Sequence, residues 1–235
     1  MSESAKVPMD QLVAALEEEM QKKDFRVAIF GSARSKPEDP EYKLVYNLAK
    51  MIAEEDMDLV NGGGPGIMEA ASRGHNAVPD RGKEVHTLGL NIKLPFEQEA
   101  NPYLDIETTF DTFSHRLDQF MLLTSVFVVA PGGIGTCLEL FYTWQLMQVD
   151  HICRVPIILI GDMWHDLIKW VEKELLEKNK FISKADLYPI VCVDTAEQAM
   201  SVIKVAKANF DLAGDNACLN IERYAAAVKQ LGFKS

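Results

Sequence analysis

Apolar residues fall along this chain in short blocks that alternate between two periods. Val27-Ala28-Ile29-Phe30, Asp58-Leu59-Val60, Val126 to Ala130, Val155 to Ile160 and Ile190 to Val193 are mainly apolar runs of strand length, each ended by glycine, proline or a polar residue. Glu84 to Leu90 reads as a further strand. Between the runs, apolar positions recur at helical spacing: Leu12, Val13, Leu16 and Met20 within Met9 to Lys22, then Tyr42, Val45, Leu48, Ala49 and Ile52. Ile67 to His75, Thr112 to Thr124, Thr136 to Met147, Trp164 to Leu176 and Thr195 to Ala208 continue the pattern. Strands that are apolar throughout are buried on both faces, as in parallel sheets covered by helices. The alternation predicts an α/β fold, a doubly wound parallel sheet with helices on both faces. Residues 1–210 read as one nucleotide-binding domain that includes an N-terminal helix. Residues 211–235 read as a tail with one more helix around Ile221 to Leu231.

Composition narrows the function classes. With 235 residues and 48% hydrophobic content the chain can bury one sizeable core. The net charge of −11 disfavours nucleic acid and anionic membrane surfaces as partners, yet leaves room for a small anion held by local amides and an arginine. No apolar run approaches the roughly 20 residues that span a bilayer. The first residues lack the basic and apolar regions of a signal peptide, so a cytoplasmic location is expected. Cys137, Cys153, Cys192 and Cys218 form no CxxC pair and read as reduced thiols. The five histidines, at 75, 86, 115, 151 and 165, are scattered without metal-ligand spacing, so no metal and no cofactor is expected.

Two glycine clusters carry the candidate chemistry. Asn61-Gly62-Gly63-Gly64-Pro65-Gly66 and Pro131-Gly132-Gly133-Ile134-Gly135 each follow a strand and lead into a helix. Ligands of open parallel sheets bind at the carboxyl ends of the strands. Glycine lets the backbone approach a ligand closely, and the first amides of a helix point a positive dipole at an anion. The alternative is that each glycine only turns the chain. Neither cluster is a Walker A loop, and Ile67 and Leu138 stand where GxGxxG requires its third glycine. Thr136 and Glu139 have the Ser/Thr-x-x-Glu spacing of a capping box. The other reading sets Glu139 in the first helical turn beside a phosphate loop, where it acts on a ribose or a cationic transition state. Arg116 reads either as a solvated arginine or as a forked donor to phosphate or sugar.

Taken together, Gly62-Gly63-Gly64-Pro65-Gly66-Ile67-Met68 and Pro131-Gly132-Gly133-Ile134-Gly135-Thr136-Cys137-Leu138-Glu139 resemble the LOG family, whose signature is PGGxGTxxE and whose members have carried the label "possible lysine decarboxylase". The resemblance runs from about Val27 to about Ala208. It implies a Rossmann-like fold, a homodimer or higher homo-oligomer, and a phosphoribohydrolase that cleaves a nucleoside 5′-monophosphate, a cytokinin riboside monophosphate or an AMP-like substrate, to free base and ribose 5-phosphate. The implied catalytic residues are Glu139 and Arg116. The implied substrate-binding residues are Gly31, Ser32, Gly62, Gly63, Gly64, Gly66 and Met68 on one side, and Gly132, Gly133, Gly135 and Thr136 on the other. Leu117 stands where the family carries lysine after the arginine. Apolar residues crowded between Phe141 and Met147, with Tyr142, Trp144 and Leu146, suit a dimer face. Decarboxylation would need a lysine-bound pyridoxal phosphate, and Lys83 and Lys93 read as solvated. The rival from another class is a non-catalytic carrier of a nucleotide or of the molybdenum cofactor, which has no need of a carboxylate at Glu139.

Overall fold

A computed structural model describes residues 22, 24–79, 81–82, 84–95, 99–213 and 221–233. Apart from Lys22, the helix expected over Met9 to Lys22 lies outside these residues. Seven strands form one sheet in the order β4-β3-β2-β1-β5-β6-β7, and every pairing is parallel. They are β1 (Arg26–Phe30), β2 (Asp58–Asn61), β3 (Thr87–Ile92), β4 (Ile106–Phe110), β5 (Val126–Val129), β6 (Ile157–Ile160) and β7 (Ile190–Val193). The helices are α1 (Pro40–Glu54), α2 (Ile67–His75), α3 (Phe113–Leu123), α4 (Ile134–Gln148), α5 (Met163–Trp170), α6 (Ala196–Ala213) and α7 (Ile221–Gln230). A π-helical segment, Val171–Lys178, continues α5, and a short 3₁₀ turn covers Lys184–Leu187.

Alternate residues of β1, β2, β5, β6 and β7 feed opposite cores. On β1, Val27 and Ile29 join α1, α2 and α6 on one face, while Ala28 and Phe30 join α3 and α4 on the other. Both layers are therefore filled, as the apolar runs require. The chain winds outward from β1 to β4 and then returns to place β5 beside β1. That reversal is the topological switch point, where loops diverge at the carboxyl ends of the strands and leave a crevice.

The structure departs from the sequence reading at several places. β4 was not expected: it is an edge strand, half exposed, whose Glu107, Thr108 and Thr109 break any apolar run. The boundary drawn at residue 210 falls inside α6, which ends at Ala213. Tyr224 and Val228 of α7 bury in the same core as β1 and α1. Cys153 is disulfide-bonded, which corrects the expectation of a reduced thiol there, while Cys137 and Cys192 are free; Cys218 lies outside the described residues. Close spacing in sequence is not needed for two sulfurs to meet in a fold. Among the described residues, no helix is long and apolar enough to cross a membrane.

At the amino ends of the strands, His75 is fully buried. Its Nε2–H donates to the Met57 carbonyl (2.9 Å), and Nδ1 accepts from Arg81 Nη1 (2.8 Å). Burial lowers its pKa from 6.5 to about 4, so the ring is neutral at physiological pH. The unfolded chain takes up this proton first as the pH falls. Stability is therefore full above about 6.5 and is lost as the pH drops through about 4. Between pH 7 and 4.5, urea unfolding should show the parent losing about 2 kcal/mol more than His75→Gln. Equal losses would contradict a neutral, buried His75.

Candidate active site

The two glycine clusters and the loop after β1 converge on one cavity of about 550 Å³ at the switch point. Ser32 ties the three loops together. Its N–H donates to the Pro131 carbonyl (3.1 Å), and its carbonyl accepts the Ile67 N–H (2.9 Å) at the start of α2. Gly31 and Ser32 line the cavity after β1, and Gly62, Gly64 and Met68 line it after β2. Gly133, Gly135 and Thr136 line it after β5, together with Arg116 of α3 and Glu139 of α4. Gly63, Gly66 and Gly132 are not among the lining residues. The cavity also takes in Arg34, Asn91, Glu99 and Phe113, which the sequence reading did not single out as site residues.

α4 begins at Ile134 with Gly133 as its N-cap, and no side chain caps it. Thr136 is thus the third helical residue, and Glu139 lies in the second turn rather than the first. The capping-box alternative is therefore overturned, because a cap must sit outside the helix. The Cys137 N–H makes the first helical bond, to Gly133 O (3.0 Å). The amides of Ile134, Gly135 and Thr136 precede it and have no intrahelical acceptor, which leaves them as donors at the positive end of the helix dipole.

Freed from capping, Glu139 turns toward Arg116, with Oε1 3.5 Å from Nη1. The Glu139 side chain is 13% exposed and that of Arg116 8%. Arg116 is fixed from two further sides. Its Nε–H donates to the Leu90 carbonyl at 2.6 Å, and its guanidinium lies 5.3 Å from the centroid of the Phe120 ring. A Cβ on Gly62 would collide with Arg116 Nη2 and Met68 Sδ, so glycine here lets the guanidinium lie against the loop. Leu117, by contrast, is buried away from solvent. Burial lifts the Glu139 carboxyl to about 7, with Arg116 opposing the rise. The same burial pulls the Arg116 guanidinium below its ordinary value, and Glu139 pulls it back. A carboxyl that titrates near neutrality beside a cation can exchange protons with a substrate at physiological pH.

The histidines do not enter this cavity. The fold does bring His165 together with Asp162 and Asp194, whose ligand atoms lie within 4.8 Å of one another; spacing along the chain showed no such group. His165 Nε2 is already hydrogen-bonded to Asp194 Oδ1 at 2.7 Å.

Residues 68–203, more than half of the chain, match the family model described as possible lysine decarboxylase. The chain is 26% identical over 191 residues to a cytokinin riboside 5′-monophosphate phosphoribohydrolase of Arabidopsis thaliana, covering 80% of this chain and 86% of that one. It is 25% identical over 209 residues to a pyrimidine/purine nucleotide 5′-monophosphate nucleosidase of Escherichia coli K12, covering 83% of this chain and 44% of that one. Among solved structures, the molybdenum cofactor carrier protein of Chlamydomonas reinhardtii superposes with a TM-score of 0.58 at 18% identity, over 79% of this chain and 99% of that one. The molybdenum cofactor binding protein of Rippkaea orientalis gives 0.57 at 20% identity, over 78% and 97%. At these identities the structural likeness shows the fold alone.

The raised carboxyl has a consequence for stability. Glu139 takes up its proton in the folded state near pH 7 and in the unfolded state near 4.5. Its favourable contribution is present below about 4.5 and is lost as the pH rises through about 7. Glu139→Gln does not titrate. Its stability relative to the parent should therefore rise between pH 5 and 8, by up to about 3 kcal/mol in paired chemical melts. Parallel curves for the two proteins would contradict the buried, raised carboxyl.

Proposed function

We propose, from the premise that the chain belongs to the LOG or "possible lysine decarboxylase" family, that it is a nucleoside 5′-monophosphate phosphoribohydrolase. The observation that carries the reading is the buried Arg116–Glu139 pair inside a cavity framed by two glycine loops. The names of the plant and bacterial relatives support the same reaction class. The substrate is a cytokinin riboside 5′-monophosphate or an AMP-like nucleotide.

The chemistry follows from the geometry. Breaking a ribosyl C–N bond develops positive charge on the sugar ring, as in glycoside hydrolysis. The Glu139 anion stabilises that charge and takes a proton from water. The C1′–N bond breaks as a C1′–O bond forms, and the proton accepted by Glu139 passes to the departing base nitrogen. Products are free base and ribose 5-phosphate. The α4 amides, the first glycine loop and Arg116 hold phosphate and ribose so that C1′ faces the carboxylate. No lysine is among the described lining residues, Lys93 is exposed beside Asp111, and Lys83 lies outside the described residues.

We also propose a homodimer. Of the crowded residues, Trp144 and Met147 go into the core, while Phe141 stays exposed. Ile134, Leu138 and Phe141 form an exposed i, i+4, i+7 stripe, and Ile134 stands at the lip of the cavity. Light scattering should give about twice 26.3 kDa at micromolar concentration, and Leu138→Glu should halve it. A 26.3 kDa parent species would remove this proposal.

Activity separates the enzyme from a carrier. Adenine release from AMP should exceed release from adenosine by about a hundredfold or more, because losing the phosphate forfeits several charge-assisted hydrogen bonds. Glu139→Gln should lose roughly a hundredfold or more in turnover while still binding nucleotide. AMP binding with no base released by the parent would return the reading to a carrier.

A further inference from the structure

The first glycine loop is held by three asparagines from three different parts of the fold. Asn61, at the end of β2, accepts the Gly63 N–H on Oδ1 (2.8 Å) and donates from Nδ2 to Ser72 Oγ (2.9 Å). Asn91 of β3 donates to Glu107 Oε1 (2.7 Å), which turns its Oδ1 toward Gly63. A Cβ on Gly63 would strike that oxygen, and its φ of +70° favours glycine in any case. Asn101, from the connection between β3 and β4, makes the third contact. Its backbone N–H donates to Gly63 O (2.8 Å), its Nδ2 donates to Gly64 O (3.1 Å), and its Oδ1 accepts the Tyr103 N–H (3.2 Å). Asn101 is buried and does not line the cavity, whereas Gly64 does.

The peptide between Gly63 and Gly64 is flanked by the two residues least able to resist rotation. A trans peptide is planar, so its C=O and N–H point in opposite directions. Holding Gly63 O toward Asn101 turns the Gly64 N–H away from Asn101, and Gly64 itself lines the cavity that Asn101 does not reach. A flipped peptide would present a carbonyl oxygen there, where the substrate brings a dianionic phosphate.

We infer that Asn101 is a positioning residue: its backbone N–H holds Gly63 O and its side chain holds Gly64 O, so that the peptides on both sides of Gly64 are fixed and the Gly64 N–H is offered to the phosphorylated ribose. The inference deepens the phosphoribohydrolase reading and rests on it for the identity of the ligand. Asparagine suits the task because one short side chain supplies both a donor for Gly64 O and an acceptor for the Tyr103 N–H.

The test uses ribose 5-phosphate as the probe, with binding read by calorimetry and by the amide resonance of Gly64 in the full chain. In the parent, ribose 5-phosphate should shift the Gly64 amide proton. Asn101→Ala should raise its dissociation constant about tenfold, the scale of one lost hydrogen bond, and reduce that shift at a ligand concentration that half-saturates the parent. With AMP as substrate, KM should rise with kcat within about threefold of the parent. Asn101→Asp separates positioning from folding: it keeps the acceptor for Tyr103 but lacks the donor, so it should bind as weakly as the alanine variant or worse. A Gly64 amide indifferent to ribose 5-phosphate in the parent overturns the inference. So does Asn101→Asp binding like the parent. Binding is read without turnover, so a parent that binds but releases no base would sink the hydrolase reading and leave this one standing.

Discussion

The burial of Glu139 against Arg116 constrains the architecture around it. Moving either charge alone out of water costs several kcal/mol, so each must arrive where the other can meet it. They come from consecutive helices on the same face of the sheet, α3 and α4, and they meet because β5 returns to lie beside β1. The Leu90 carbonyl and the Phe120 ring fix the guanidinium, and the absence of a side chain at Gly62 lets it rest on the first loop. The carboxylate is left with one cation 3.5 Å away and little water. That imbalance raises its pKa and makes it useful as a base near neutrality.

Most of the fold was legible because the information was local. Apolar runs such as Val126 to Val129 are strands in the structure, and their even hydrophobicity reports helices on both faces. What escaped was set by non-local partners. Glu107, Thr108 and Thr109 are a strand only because β3 offers them an edge to pair with. The start of α4 at Ile134 depends on how the second loop leaves β5, which the Thr136–Glu139 spacing did not reveal.

The same division runs through the site. Glycine clusters, Arg116 and Glu139 announce themselves by residue type and by their order along the chain, and they stand around one cavity. Asn91 and Asn101 carry no such signal, because an isolated asparagine in a connection reads as a turn residue. Only the fold shows that they surround Gly63. Arg34 lies four residues beyond the end of β1, and nothing in its local sequence shows that it faces a pocket. Gly63, Gly66 and Gly132 show the converse: they have the residue type of ligand contacts but lie outside the lining.

In the proposed reaction an ionised, buried Glu139 drives base release. The pH dependence of kcat/KM for adenine release from AMP tests it most directly, since this parameter reports groups of the free enzyme and substrate. The phosphate of AMP completes its ionisation near pH 6, so a limb near 7 belongs to the protein. The account predicts that kcat/KM rises through an apparent pKa of about 7, and that the residual activity of Glu139→Gln lacks this limb. A profile flat between pH 6.5 and 8.5, or one with the same limb in Glu139→Gln, would contradict it.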